Sequence, residues 1–217
     1  MPALTPATAR DEGEALRTFV LSQLDGMRAV AFGLTDDQAR ATPTTSALSV
    51  GGLLKHVVRC TDQWFARFES APERTERDTQ PAEEAGRLYA EEFVMQPEET
   101  LGALVAEFDR LRARIADAAA DLDLDAEVPV PTDAPWWPQD LDAWNVRWGL
   151  LHLVEEIARH AGHADIIREH IDGATTYELV AGLEGEDPSA WLVPTPPHPG
   201  SYDAERRRDA EPAVAQG

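Results

Sequence analysis

The chain has 217 residues, 43% of them hydrophobic and 27% charged, with a formal net charge of −21 and a pI near 4.5. That is room for one domain with a real core. So much negative charge repels phosphate backbones and anionic membrane surfaces, so neither nucleic acid nor membrane is an expected partner.

The single cysteine, Cys60, cannot form an internal disulfide, so nothing argues for an oxidising compartment. The opening "MPALTPATARDEGE" has no apolar leader segment, and no run approaches membrane-spanning length. The expected setting is the cytoplasm.

Residues 1–10 read as a flexible arm. From Asp11 to Leu34 the positions Leu16, Phe19, Val20, Leu24, Met27 and Val30 recur at helical spacing, which predicts helix one. "TDDQAR" reads as a capped helical turn, with Thr35 as cap and Gln38 in the capping-box position. Helix two is expected from Ser49 to Phe68, with Leu53, His56, Val57, Cys60, Trp64 and Phe68 on one stripe. Residues 70–96 are polar and weakly periodic, a long connection with a short helix over Glu83–Phe93. Helix three follows, with Pro97 at its start, early glutamates and later arginines. "DAEVPVPTDAPWWPQD" is a second connection stiffened by four prolines. Helix four runs from Asp142 to Ile171 and stops at Gly173, a C-cap. After a short apolar stretch, Tyr177–Leu183, the chain turns proline-rich and charged.

These elements predict an all-α fold: a four-helix bundle over residues 11–183, with 70–96 and 122–141 as long crossover connections. Residues 184–217 are expected to form a mostly irregular tail. No extended sheet is expected.

Helix four carries "EEIARHAGHAD", Glu155–Asp165. At about 100° per residue, Gly149, His152, Leu153, Glu156, His160, His163 and Ile167 share a direction, while Asp165 and Arg168 point to the far side. A carboxylate or imidazole on a core-facing stripe must be hydrogen-bonded, paired or metal-bound. His56 lies on the apolar stripe of helix two. Glu156 and His160 at one-turn spacing, with His56 opposite, form a donor set that suits Zn²⁺ and could hold Ni²⁺ or Fe²⁺. The plainer alternative is a surface pair or a satisfied core hydrogen bond.

Trp136, Trp137, Trp144 and Trp148 read as a plug for the end of the bundle, or alternatively as one wall of a substrate pocket. Cys60 reads as a small core residue, with a fourth ligand or redox thiol as the alternative.

"LSVGGLLKHVVRCTDQWF" (48–65) and "VRWGLLHLVEEIARHAGHADIIREHIDGATTYEL" (146–179) resemble the DinB/YfiT-like superfamily of four-helix-bundle metalloproteins. The likeness is to its actinobacterial branch, related to the mycothiol-dependent maleylpyruvate isomerase and mycothiol S-transferases. It covers helices two and four, and the rest of the chain by length and helix order. The resemblance implies a metal triad of His56, Glu156 and His160, with glutamate at 156 as in the thiol-dependent isomerase branch. Where many relatives read Arg-Gly-Gln, this chain has Ala161-Gly162-His163. His163 is therefore expected beside the metal or facing the substrate rather than as a ligand. His152 or His163 is the expected proton shuttle or ligand-orienting group, with a plain hydrogen bond to a carbonyl of a neighbouring helix as the alternative for His152. The isomerase has an additional C-terminal domain that the segment after helix four is too short to supply. The implied activity is thus a metal-dependent thiol S-transfer to small electrophiles, with zinc as the metal and mycothiol as co-substrate. The alternative is a metal-binding stress-response or binding protein without turnover. The expected partners are small molecules, and a homodimer is compatible with a helical bundle.

Overall fold

A computed structural model of the chain describes residues 6, 9–118, 122–133, 136–138 and 140–210. Most of the expected N-terminal arm and the last residues of the tail lie outside the described residues.

Eight α-helices occur among the described residues: α1 (Glu12–Ala31), α2 (Asp36–Arg40), α3 (Val50–Ser70), α4 (Ala82–Glu92), α5 (Leu101–Ala118), α6 (Val146–Asp172), α7 (Thr176–Glu184) and α8 (Tyr202–Ala210). The expected caps are in place: Thr35 and Gln38 form the capping box, and Gly173 adopts φ 79° to close α6. Asp11 and Ser49 also accept from the backbone of the first turns that follow them. α5 starts later than its sequence suggests. Pro97 stays in the preceding turn, and Thr100 accepts from Ala103 N–H instead.

The predicted all-α class holds. The four long helices pack α1 on α6 and α5, and α3 on α5 and α6, so α5 and α6 take opposite corners. The ion pairs Arg28–Asp109 and Arg112–Asp25 mark α1 and α5 as antiparallel. Lys55–Glu99, Arg59–Glu107 and Arg114–Asp62 mark α3 and α5 as parallel. A chain that joins parallel neighbours must travel the bundle's length, which is what 71–100 does with α4. The second link crosses to the opposite corner. It pairs β1 (Glu127–Pro129) with β2 (Ala143–Asn145) as a three-residue antiparallel ladder. That ladder takes Asp142–Asn145 away from helix four, so α6 begins at Val146, capped by Asn145 on Trp148 N–H at 2.9 Å.

The sequence left the surroundings of Arg168 and of the tail open. Arg168, expected on the far side of α6, is fully buried against α1. Its guanidinium donates to the carbonyls of Val30 and Phe32 at 2.8 and 2.7 Å and pairs with Asp172. Its direction is indeed away from Glu156, but α1 and α7 occupy that side. The described residues of the tail are irregular from 185 to 201 and helical in α8. The tail's backbone bonds to Glu178 and Gly33, and α8 places Asp203 on Arg28 and on Gly33 N–H, each at 2.8 Å. Proline and charge suggested solvation, yet each key charge meets a buried partner.

The helix-four face is also shifted. Its buried stripe runs Leu150, Leu153, Ile157, His160, Ala164 and Ile167, with Glu156 at the edge facing α3. α3 is antiparallel to α6, with Phe68 beside Gly149 and His56 beside Glu156. Gly52 on α3 matters here, because the Phe93 carbonyl at the end of α4 occupies the space a Cβ would need. That approach brings Phe93 onto the His56 ring, stacked at 4.0 Å.

Gly52→Ala is expected to destabilise by about 2 kcal/mol through this overpacking, a fall of roughly 4–8 °C in Tm for a domain of this size. Gly86→Ala on α4, where a Cβ meets nothing within 4 Å, is the control. It should be neutral or stabilising by up to about 1 kcal/mol. Equal melting temperatures for the two variants would contradict the packing argument.

Candidate metal centre and cavity

His56 sits one-third of the way along α3, where the helix is buried on most sides, and is 2% exposed. Glu156 and His160 lie one turn apart on α6. His56 Nε2 is 3.3 Å and His160 Nε2 3.1 Å from the same oxygen, Glu156 Oε1. The two imidazole rings are 4.7 Å apart. The three residues singled out by helical phase therefore converge at one point.

Glu92 completes the set from the last turn of α4. Its Oε2 is 3.4 Å from His56 Nδ1, and its Oε1 accepts from Arg77 at 2.6 Å and from Gln63 at 3.1 Å. Sequence reading passed over Glu92 because its segment lacks a clear apolar period. The available signal was Ala85, seven residues earlier and buried on the same face of a short helix.

The charges follow from this geometry. Hydrogen bonds from His160 and His56 hold the Glu156 carboxyl well below its ordinary value. Burial opposes ionisation of Glu92, but His56 and Arg77 outweigh it and keep that carboxyl low as well. Burial would depress His56, yet the carboxylates of Glu156 and Glu92 on its two nitrogens raise it. The site thus presents two carboxylates to one buried ring and calls for positive charge.

A cation fits this arrangement. Nitrogen and oxygen ligands at 2.0–2.1 Å from one tetrahedral ion stand about 3.3 Å apart, close to the spacings of the donors on Glu156 Oε1. Glu92 would accept the proton on His56 Nδ1, as carboxylates do behind metal-bound imidazoles.

A cavity of about 240 Å³ opens beside these donors, lined by His56, Cys60, Glu92, His152 and Glu156 and walled by aromatic rings. Trp64, Trp137 and Tyr89 form much of the wall, and Trp136, 53% exposed, stands at its rim. The tryptophans therefore serve as plug and wall together. Trp144 stacks on Trp148 at 4.5 Å, and Trp148 on His152 at 5.2 Å, behind the cavity. Arg67 lies over Trp64 and pairs with buried Asp78 at 2.7 Å.

The structure separates the two other predicted histidines. His152 lines the cavity, and burial lowers its pKa, so it is neutral at neutral pH. His163 is exposed, its ring 6.1 Å from that of His160, and is not among the cavity-lining residues. It shares the direction of Glu156 but lies two turns further along, where solvent takes over. Cys60 also departs from its plain reading as a core residue. It is half-buried and lines the cavity.

The family model for mycothiol S-transferase matches residues 15–173. The chain belongs to the mycothiol S-transferase family. No curated protein and no solved structure matches it. The matched span contains every residue of the convergent site, and α7 and α8 follow it. Among the described residues, no helix is long and apolar enough to cross a membrane.

Burial first, and then the charges of Glu156 and Glu92, push the Cys60 thiol up to about 12. A thiol of that pKa is ionised to only about one part in 10⁴ at pH 8, against roughly a quarter for an ordinary cysteine. In chelator-treated protein at pH 8, Cys60 is therefore expected to react with a disulfide reagent at least about 100-fold more slowly than free cysteine. Denaturant should restore the ordinary rate. A native rate equal to that of free cysteine would remove this electrostatic account.

Proposed function

We propose that this family member is a metal-dependent S-transferase, with zinc the ion its donors suit best, joining the sulfur of mycothiol to small electrophiles. The observation that carries the reading is the convergence of two imidazole nitrogens on one carboxylate oxygen beside an aromatic-walled cavity. His56, Glu156 and His160 would hold the ion. A His-carboxylate-His set also accommodates Ni²⁺ or Fe²⁺. When bound, the ion supplies positive charge that lowers the pKa of a nearby thiol and steadies its thiolate.

The protein's own groups do the rest. Glu92, fixed by Arg77 and Gln63, holds the His56 ring with Nε2 toward Glu156. His152 faces the cavity as a neutral imidazole and accepts the proton when the S–H bond of the thiol breaks. The sulfur then bonds to the electrophilic atom. His152 returns its proton to the leaving group, or to the atom that receives the displaced electron pair. Trp64, Trp137 and Tyr89 exclude water and offer flat apolar faces to the electrophile. The reading calls for two small molecules and no macromolecular partner, in keeping with a net charge of −21.

Elemental analysis should find about one divalent ion per wild-type chain and close to none in His160→Ala. Glu92→Gln should keep the fold and weaken metal affinity by about 10–100-fold. Electrophile consumption should require mycothiol. A wild-type protein without stoichiometric metal, or turnover indifferent to the thiol, would defeat the proposal.

His152→Asn is expected to lower kcat/KM by roughly 100-fold at unchanged metal content. It should also remove the acid limb of the rate profile, because the lowered pKa leaves wild-type His152 neutral above that limb and protonated below it. An unaltered profile would show that another group takes the proton.

A further inference from the structure

The two antiparallel helices at the site each present a one-turn pair. α6 offers Glu156 and His160, and α3 offers His56 and Cys60. Among the described residues, single donor atoms of His56, Cys60 and Glu156 all lie within 4.8 Å of one another. Cys60 lines the same cavity as the other two. Three protein ligands leave one position of a tetrahedral ion open. Sulfur, nitrogen and oxygen ligands of such an ion stand about 3.5 Å apart, against the 4.8 Å within which these three donor atoms lie, so a small shift of Sγ suffices.

We infer that Cys60 is an internal fourth ligand, which occupies the position of the substrate sulfur until mycothiol displaces it. This rests on the metal centre proposed above. Cys60 would then hold the resting ion alongside the proposed ligands, and exchange would replace one sulfur with another. As Cys60 ligates, its S–H bond breaks and the proton leaves to solvent. As the substrate thiol replaces it, the substrate S–H bond breaks, and that proton passes by way of His152 to the Cys60 sulfur. Charge and electron count are unchanged by the exchange, and no oxidant takes part. A centre closed in this way shields its ion from stray anions and opens for a ligand that can compete as a thiolate.

The test is the absorption spectrum of the cobalt-substituted full-length protein, prepared with a phosphine reductant so that no other thiol is present. Wild type is expected to show sulfur-to-cobalt charge-transfer absorption in the near ultraviolet before any substrate is added. Cys60→Ala and Cys60→Ser, checked for folding by circular dichroism, should keep the visible cobalt bands and lose that absorption. Adding mycothiol should restore it in both. Mycothiol should also bind these variants about tenfold more tightly, because the open state no longer has to be selected from a closed one. If wild type takes up cobalt but shows the sulfur band only after mycothiol is added, Cys60 is not a ligand and the metal centre stands. A band that persists in Cys60→Ala likewise overturns the assignment. If wild type takes up no cobalt, the centre itself falls, and this inference with it.

Discussion

The buried ring of His56, gripped by a carboxylate on each side, is the interaction on which the rest of the site depends. Glu156 reaches one nitrogen from α6, and Glu92 reaches the other from α4. Two carboxylates set on one buried ring are best tolerated with positive charge between them. In the free protein the His56 ring supplies it, its proton favoured by the two carboxylates. A divalent ion would supply it more fully, releasing a proton as it binds. The same need explains why Arg77 sits on Glu92 and why Gly52 lets the end of α4 approach so closely.

Much of this arrangement could be read from residue spacing. The stripe on α3 placed His56 inward, and the four-residue interval on α6 joined Glu156 to His160. Periodicity works for these helices because they are long and one-sided. It fails where direction depends on neighbours. Arg168 pointed away from the site, but only packing shows that α1 supplies two carbonyls there. Glu92 stands in a connection whose composition looks like solvated surface, and only the fold carries it over His56. His163 has the right phase and the wrong depth. The start of α6 could not be placed from propensity either, because the β1 ladder competes for the same residues.

The family match ends at residue 173, but the chain beyond it is tied into the bundle. α8 neutralises Arg28, the preceding loop covers Gly33, and His198 reaches Asp172 at 2.8 Å. These contacts gather on the α1 and α7 side, away from the cavity. Chemistry and reinforcement thus occupy different faces of one small bundle, which lets each face vary with little effect on the other.

The parallel pair α1 and α6 has a mechanical consequence. At one end Arg147 clasps Glu12 at 2.8 Å, and at the other Arg168 is sunk into the last carbonyls of α1. Contacts at both ends thus set the position of α6, which carries two of the three proposed ligands, against α1. The outer walls of the cavity belong instead to the links, with Tyr89 on one and Trp136 and Trp137 on the other. The residues an entering molecule would meet first thus belong to the links, whereas those proposed to hold the ion belong to α3 and α6.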